Sequence, residues 1–124
     1  MAAPTDTFEF PRTGKKARNR AVVAAMTNKQ SNEDGTLSDE EINWLIRRAE
    51  GGFGIVTTAA THVVPEGQGW DGEMGVWGDH QLPGLTRLAA GINQHGAISL
   101  AQIFHGGMRC PQRLTGVQPV SASI

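Results

Sequence analysis

The sequence predicts an α/β fold, the N-terminal β-α-β-α-β portion of a (β/α)8 TIM barrel, on three observations. Three short apolar runs, at 20–26, 54–60 and 97–103, read as strands, and the first lacks the polar alternation of a strand with one wet face, as a strand buried on both sides does. Two amphipathic stretches of helical spacing separate them. With right-handed crossovers, this order makes the three strands parallel and puts both helices outside the sheet.

Residues 1–19 are polar and mixed, and read as an irregular arm with room for a short hairpin. The strand–helix units occupy 20–124. The first run is Ala21-Val22-Val23-Ala24-Ala25, closed by Met26 and Thr27. After a polar loop, Ser38-Asp39-Glu40-Glu41 forms a capping box. The Ser38 hydroxyl would accept from the amide three residues on, and Glu41 would reach back to the Ser38 amide. Ile42, Leu45, Ile46 and Ala49 then make one stripe, and Arg47 and Arg48 suit the negative end of the helix dipole. Gly51-Gly52 ends the helix. Gly54–Ala60 is the second strand, and a glycine-rich loop with Trp70 and Trp77 runs to Asp79, the expected next N-cap. Leu82, Leu85, Leu88, Ala89 and Ile92 form the second stripe, with Pro83 in the first turn and His95-Gly96 as the stop. Ala97–Ile103 is the third strand, and a loop runs on from Phe104.

Eight such units need roughly 250 residues. Three units leave a raw sheet edge and an uncovered inner face. The chain therefore reads as an incomplete barrel, or as a small open α/β domain. The uncovered surface calls for the remaining barrel segment or for another copy, as in a homo-oligomer.

Composition narrows the function classes. The chain has 124 residues, 39% hydrophobic and 19% charged, which is the soluble globular class. A formal charge of −1 gives no electrostatic reason to expect a nucleic acid. Lys15, Lys16, Arg18 and Arg20 read as a solvated surface rather than a phosphate patch. Cys110 is the single cysteine, so no disulfide closes within the chain. No apolar signal core follows Met1, and no run approaches the roughly 20 apolar residues of a membrane helix. Together these absences place the protein in the cytoplasm. Tyrosine is absent, so these residues cannot supply a tyrosine proton donor.

Gly51-Gly52-Phe53-Gly54 follows a helix and precedes a strand. A phosphate loop needs the reverse order, so this is a cap and turn. The histidines, at 62, 80, 95 and 105, form no helical metal pair, and no metal site is expected. The C-terminal strand ends of a barrel, and the loops after them, build its active site. That rule selects Met26, Thr27, Ala60 and Gln102, and places His105 there too, for chemistry or for ordering its loop. Gln102 offers both a donor and an acceptor, and a buried glutamine in an apolar strand needs a partner. That partner is either a ligand edge or a neighbouring strand or loop.

Five segments occur in order at barrel-compatible spacing: Arg18–Asn28, Arg48–Gly54, Val64–Gly69, Gly75–Asp79 and Ala101–Gly107. Together they resemble the N-terminal third of the Old Yellow Enzyme family of FMN-dependent NAD(P)H oxidoreductases. The resemblance implies FMN at the C-terminal strand ends. It further implies hydride transfer from NAD(P)H through the flavin to an activated alkene of the enone type. It would pass Ala25, Met26 and Thr27 along the isoalloxazine ring, with the Thr27 hydroxyl near the C4 carbonyl. It would give Ala60 backbone contacts to the ring and set Gln102 against the pyrimidine edge. The family usually has proline where Ala25 stands, and its His-Ala-Gly-Arg run appears here as His105-Gly106-Gly107-Met108-Arg109. Its substrate-anchoring pair, proton-donating tyrosine and phosphate loops have no counterpart in these residues, so no catalytic residue is assigned. An isolated chain would be an inactive fragment by this reading. The alternative is a non-catalytic assembly or interaction module that pairs through its open sheet edge.

Overall fold

The computed structural model describes residues 1–122. The arm carries a two-stranded antiparallel hairpin, β1 (Phe8–Glu9) and β2 (Lys16–Ala17). β3 (Val22–Val23) opens the main sheet, and α1 (Asp39–Glu50) follows it. β4 (Ile55–His62), β5 (Met74–Gly75), α2 (Leu82–Gln94), β6 (Ile98–Phe104) and the short α3 (Gln112–Thr115) complete the order.

β4 is the axis of the sheet, and every strand that pairs with it is parallel. Seven of its eight residues are buried, as a strand covered on both faces requires. β6 runs along one edge of β4 for its whole length. The opposite edge is shared: Ile55 and Val56 pair with Val22 and Val23, whereas Thr61 and His62 pair with Met74 and Gly75. The expected strand at 20–26 is therefore paired only at Val22–Val23, because β5 takes the same edge further on. β5 lies inside what the sequence suggested was a continuous loop, and α3 inside the expected terminal loop.

α1 and α2 pack on one face of this sheet. Ile42, Leu45 and Ala49 from α1 and Leu88 and Ile92 from α2 meet Val23, Val56, Met74 and Ala97 in one core. Each large aliphatic side chain buried there contributes roughly 1.5–3 kcal/mol. Ser38 caps α1 as expected, its hydroxyl accepting from the Glu41 amide at 3.1 Å. The reciprocal half of the box does not form, since the Glu41 side chain turns to the β3–α1 loop instead. Gly52 carries the left-handed conformation after α1, at φ 109°. Asp79 is no N-cap: it opens a 3-10 turn, 79–81, that leads into α2, and Leu82 at the head of the second stripe is exposed.

Arg18 departs from the solvated reading. Its guanidinium donates to the carbonyl oxygens of His95 at 2.7 Å, of Phe53 at 3.0 Å and of Ala49. These lie at or just past the C-terminal ends of α1 and α2, where orphan carbonyls and the helix dipoles favour a cation. One side chain thus ties both helix ends to the arm. Arg18→Ala is expected to destabilise the fold by about 2–3 kcal/mol in urea denaturation. Arg18→Lys should recover little, because an ammonium cannot span three carbonyls. Of the rest of that cluster, Lys16 pairs with Glu9 at 3.3 Å, and Arg20 sits over the Phe8 ring at 5.1 Å.

Candidate functional site

The C-terminal ends of the parallel strands bring two of the expected site residues together. Ala60 and Gln102 are direct partners across β4 and β6. Their pairing follows an irregularity: Thr57 pairs with Leu100, but Ala60 pairs with Gln102, so β4 carries one extra residue at 58–59. Such a bulge re-aims the side chains beyond it, and bulges recur beside active sites. Hydroxyls stabilise this one. Thr58 Oγ1 donates to the Ala59 carbonyl at 2.7 Å and accepts from the Gln102 amide nitrogen at 3.2 Å. Thr61 Oγ1 donates to the same Ala59 carbonyl at 3.1 Å.

Gln102 differs from expectation. It is exposed rather than buried, because β6 presents its outer residues to the uncovered side of the sheet. Among the described residues, no hydrogen bond engages its side-chain amide. The same holds for the Thr27 hydroxyl. Ala25, Met26 and Thr27 continue from β3 toward the same end of the sheet but are unpaired, and Met26 is 53% exposed. An unpartnered amide with donor and acceptor and an unpartnered hydroxyl are groups free to meet a polar ligand. His105 orders its own loop: its Nδ1 accepts from the Gly107 amide at 3.0 Å. Arg109 falls in the 3-10 turn at 107–109. No group of three metal-ligating side chains exists among the described residues. Among those residues, no helix is long and apolar enough to cross a membrane.

Two residues beyond Ala60 lies a polar cluster that sequence reasoning missed. His62 ends β4 and Glu73 precedes β5; both are buried, at 2% and 1% exposure. The Trp77 indole donates to His62 Nε2 at 2.9 Å. An indole nitrogen only donates, so Nε2 accepts and the proton of the neutral ring sits on Nδ1. Nδ1 stands 3.9 Å from Glu73 Oε2, which itself accepts from the Gly69 amide at 2.6 Å. His62 Nδ1 and Glu73 Oε1 have no hydrogen-bond partner among the described residues. Burial pushes the Glu73 carboxyl up to about 7, against the opposing pull of the Gly69 and Trp70 amides. Burial likewise holds His62 below the ordinary histidine value. A signal was present in the sequence: a histidine at a strand's C-terminal end, facing an acid on the following loop.

A parallel β/α succession with both helices on one face of the sheet is the opening part of a (β/α)-barrel. Comparison with known proteins agrees. The family model described as NADH:flavin oxidoreductase / NADH oxidase matches residues 12–123. A probable NADH-dependent flavin oxidoreductase of Bacillus subtilis, YqiG, is 41% identical over 113 residues, which is 91% of this chain and 30% of that protein. The NADH:acrylate oxidoreductase of Vibrio harveyi is 36% identical over 124 residues, 99% of this chain and 12% of that protein. Among solved structures, the old yellow enzyme homologue from Zymomonas mobilis superposes with a TM-score of 0.91 at 26% identity, over 98% of this chain and 33% of that one. A 2-naphthoyl-CoA reductase superposes with a TM-score of 0.85 at 33% identity, over 92% of this chain and 17% of that one. The chain belongs to the NADH:flavin oxidoreductase / NADH oxidase family. FMN, with NADH or NADPH as reductant, is that family's cofactor set. The chain spans about a third or less of the length of these relatives.

Proposed function

We propose that this chain supplies the first three strand–helix units of a cytoplasmic flavin-dependent oxidoreductase, completed by the remaining barrel segment. FMN held at the strand ends would supply hydride transfer between NAD(P)H and an activated alkene of the enone type. The chain's own part is to bind and orient. Gln102 would hold the pyrimidine edge through paired donor and acceptor, and the Thr27 hydroxyl would donate toward the C4 carbonyl. Ala60 would let the ring approach the backbone of β4. Ala25 and Met26 would line its side. The substrate-anchoring groups, the proton donor and the phosphate grip would come from the remaining segment.

The observation that carries this reading is the direct pairing of Ala60 with Gln102 at the rim, with the Gln102 amide unpartnered. The reading is tested in the completed, FMN-loaded barrel. Gln102→Ala is expected to weaken FMN binding about tenfold, as loss of a bidentate polar contact does. Wild-type affinity in that variant, measured by flavin fluorescence titration, would remove Gln102 from the site.

One observation favours a second reading, a non-catalytic module that pairs through its edge. Leu100 and Ile103 on the outer strand β6 are 46% and 74% exposed. The same surface is what further barrel strands would cover. Size-exclusion chromatography and flavin absorbance separate the two readings. A yellow complex formed only with the missing segment supports the first, and a stable colourless oligomer supports the second.

A further inference from the structure

We propose that Glu41 is the positioning residue of the segment Ala25–Thr27, its buried carboxyl group clamping the β3–α1 loop and so fixing where Thr27 presents its hydroxyl. This rests on the flavin rim proposed above.

The segment needs such a device. β3 stops pairing at Val23, and β5 occupies the far part of the same β4 edge. Residues 24–30 therefore belong to no strand. Two donors from the end of this loop converge on one carboxyl group. Asn28 Nδ2 donates to Glu41 Oε1 at 2.8 Å, and the Ser31 hydroxyl donates to Oε2. Glu41 is fully buried, so water does not compete for either contact. The Ser31 amide adds a third tie, to the Gly72 carbonyl at 3.1 Å on the approach to β5. The loop is thus held from α1 on one side and from the β5 approach on the other. Thr27 is joined covalently to Asn28, the first clamped residue.

The carboxyl group has no part in holding α1. The helix cap uses the Ser38 hydroxyl and the Glu41 backbone amide. The buried face of α1 is otherwise Ile42, Leu45 and Ala49. An apolar side chain would be less costly to bury there than an acid, unless the acid's oxygens are both engaged. Here both are engaged, and among the described residues only by the loop.

The test uses the completed, FMN-loaded barrel, with Glu41→Leu, Glu41→Gln, Asn28→Ala, Thr27→Ala and the Glu41→Leu/Thr27→Ala pair. FMN affinity, flavin reduction potential, the visible flavin spectrum and urea stability are read together. Glu41→Leu and Asn28→Ala should each shift the potential in the same direction as Thr27→Ala and weaken FMN binding about tenfold. Glu41→Gln should stay close to wild type, since its amide oxygen still accepts from Asn28 and the Ser31 hydroxyl can turn to accept from its NH2 group. In the Glu41→Leu background, Thr27→Ala should add little, the non-additivity that marks a shared pathway. A Glu41→Leu barrel that loses stability but keeps the wild-type potential and spectrum, while Thr27→Ala shifts both, overturns the clamp and leaves the flavin rim standing. A Thr27→Ala barrel unchanged in potential and spectrum overturns the rim, and the clamp's purpose with it. Should Glu41→Leu not fold, Asn28→Ala makes the same decision from the loop side.

Discussion

Glu73→Gln is expected to stabilise the protein by roughly 3 kcal/mol at pH 8 and by little at pH 4.5. The carboxyl of Glu73 is raised to about 7 in the folded state, from an ordinary value of 4.5. The folded state therefore binds the proton more tightly than the unfolded chain does. Stability from this group is fully present below 4.5 and is lost as pH rises to about 7. Above that, folding keeps an ionised carboxylate in a site only 1% exposed. Glutamine has nearly the same shape, and its oxygen can still accept from the Gly69 amide. His62 works in the opposite sense. Its lowered value means that stability is lost as pH falls below the ordinary histidine range. The comparison is therefore the difference between variant and wild type in urea denaturation across pH 4.5–8. A difference that stays flat over that range would show that Glu73 is ionised in the fold throughout.

The isolated chain is expected to bind FMN at least about a hundredfold more weakly than the completed barrel. The proposed rim would offer contacts to the ring alone: an amide, a hydroxyl and small residues. Two or three polar contacts of about 1 kcal/mol each do not offset the translational and rotational freedom lost on binding. The measurement is a fluorescence titration of FMN with the isolated chain, then with the remaining segment added. Tight stoichiometric binding by the chain alone would mean that these residues hold a phosphate site that neither their sequence nor their fold displays.

Much of the architecture was legible because it is local. The Ser38 cap, the apolar stripes of both helices, the buried run of β4 and the position of β6 each follow from spacing and side-chain chemistry. The rim was legible in part, since parallel register brings Ala60 to Gln102 once the strands are placed. Other features depend on contacts between distant segments. β5 is two residues with no apolar run, and its place depends on the Gly75 amide reaching the Gly35 carbonyl at 2.9 Å. β3 is cut short by that same intrusion. Glu41 has the spacing of a capping box, yet the loop's donors outcompete the Ser38 amide for it. Gln102 was expected to be buried because its neighbours are apolar, but the inner face of a barrel is covered only by other strands. His62 and Glu73 meet because the loop between them folds back on β4, which no spacing rule foretells.

The division of one β4 edge between β3 and β5 has a mechanical outcome. From Thr57 to Ala60 that edge has no strand beside it, and the chain leaving β3 passes it without zipping on. The gap behaves like an unfastened seam: this stretch has no ladder partner on that side, and the Ala59 carbonyl is served by the Thr58 and Thr61 hydroxyls instead. Trimming the connection into β5 would free that edge for residues 24–27 to fasten along β4, closing the gap into ordinary sheet.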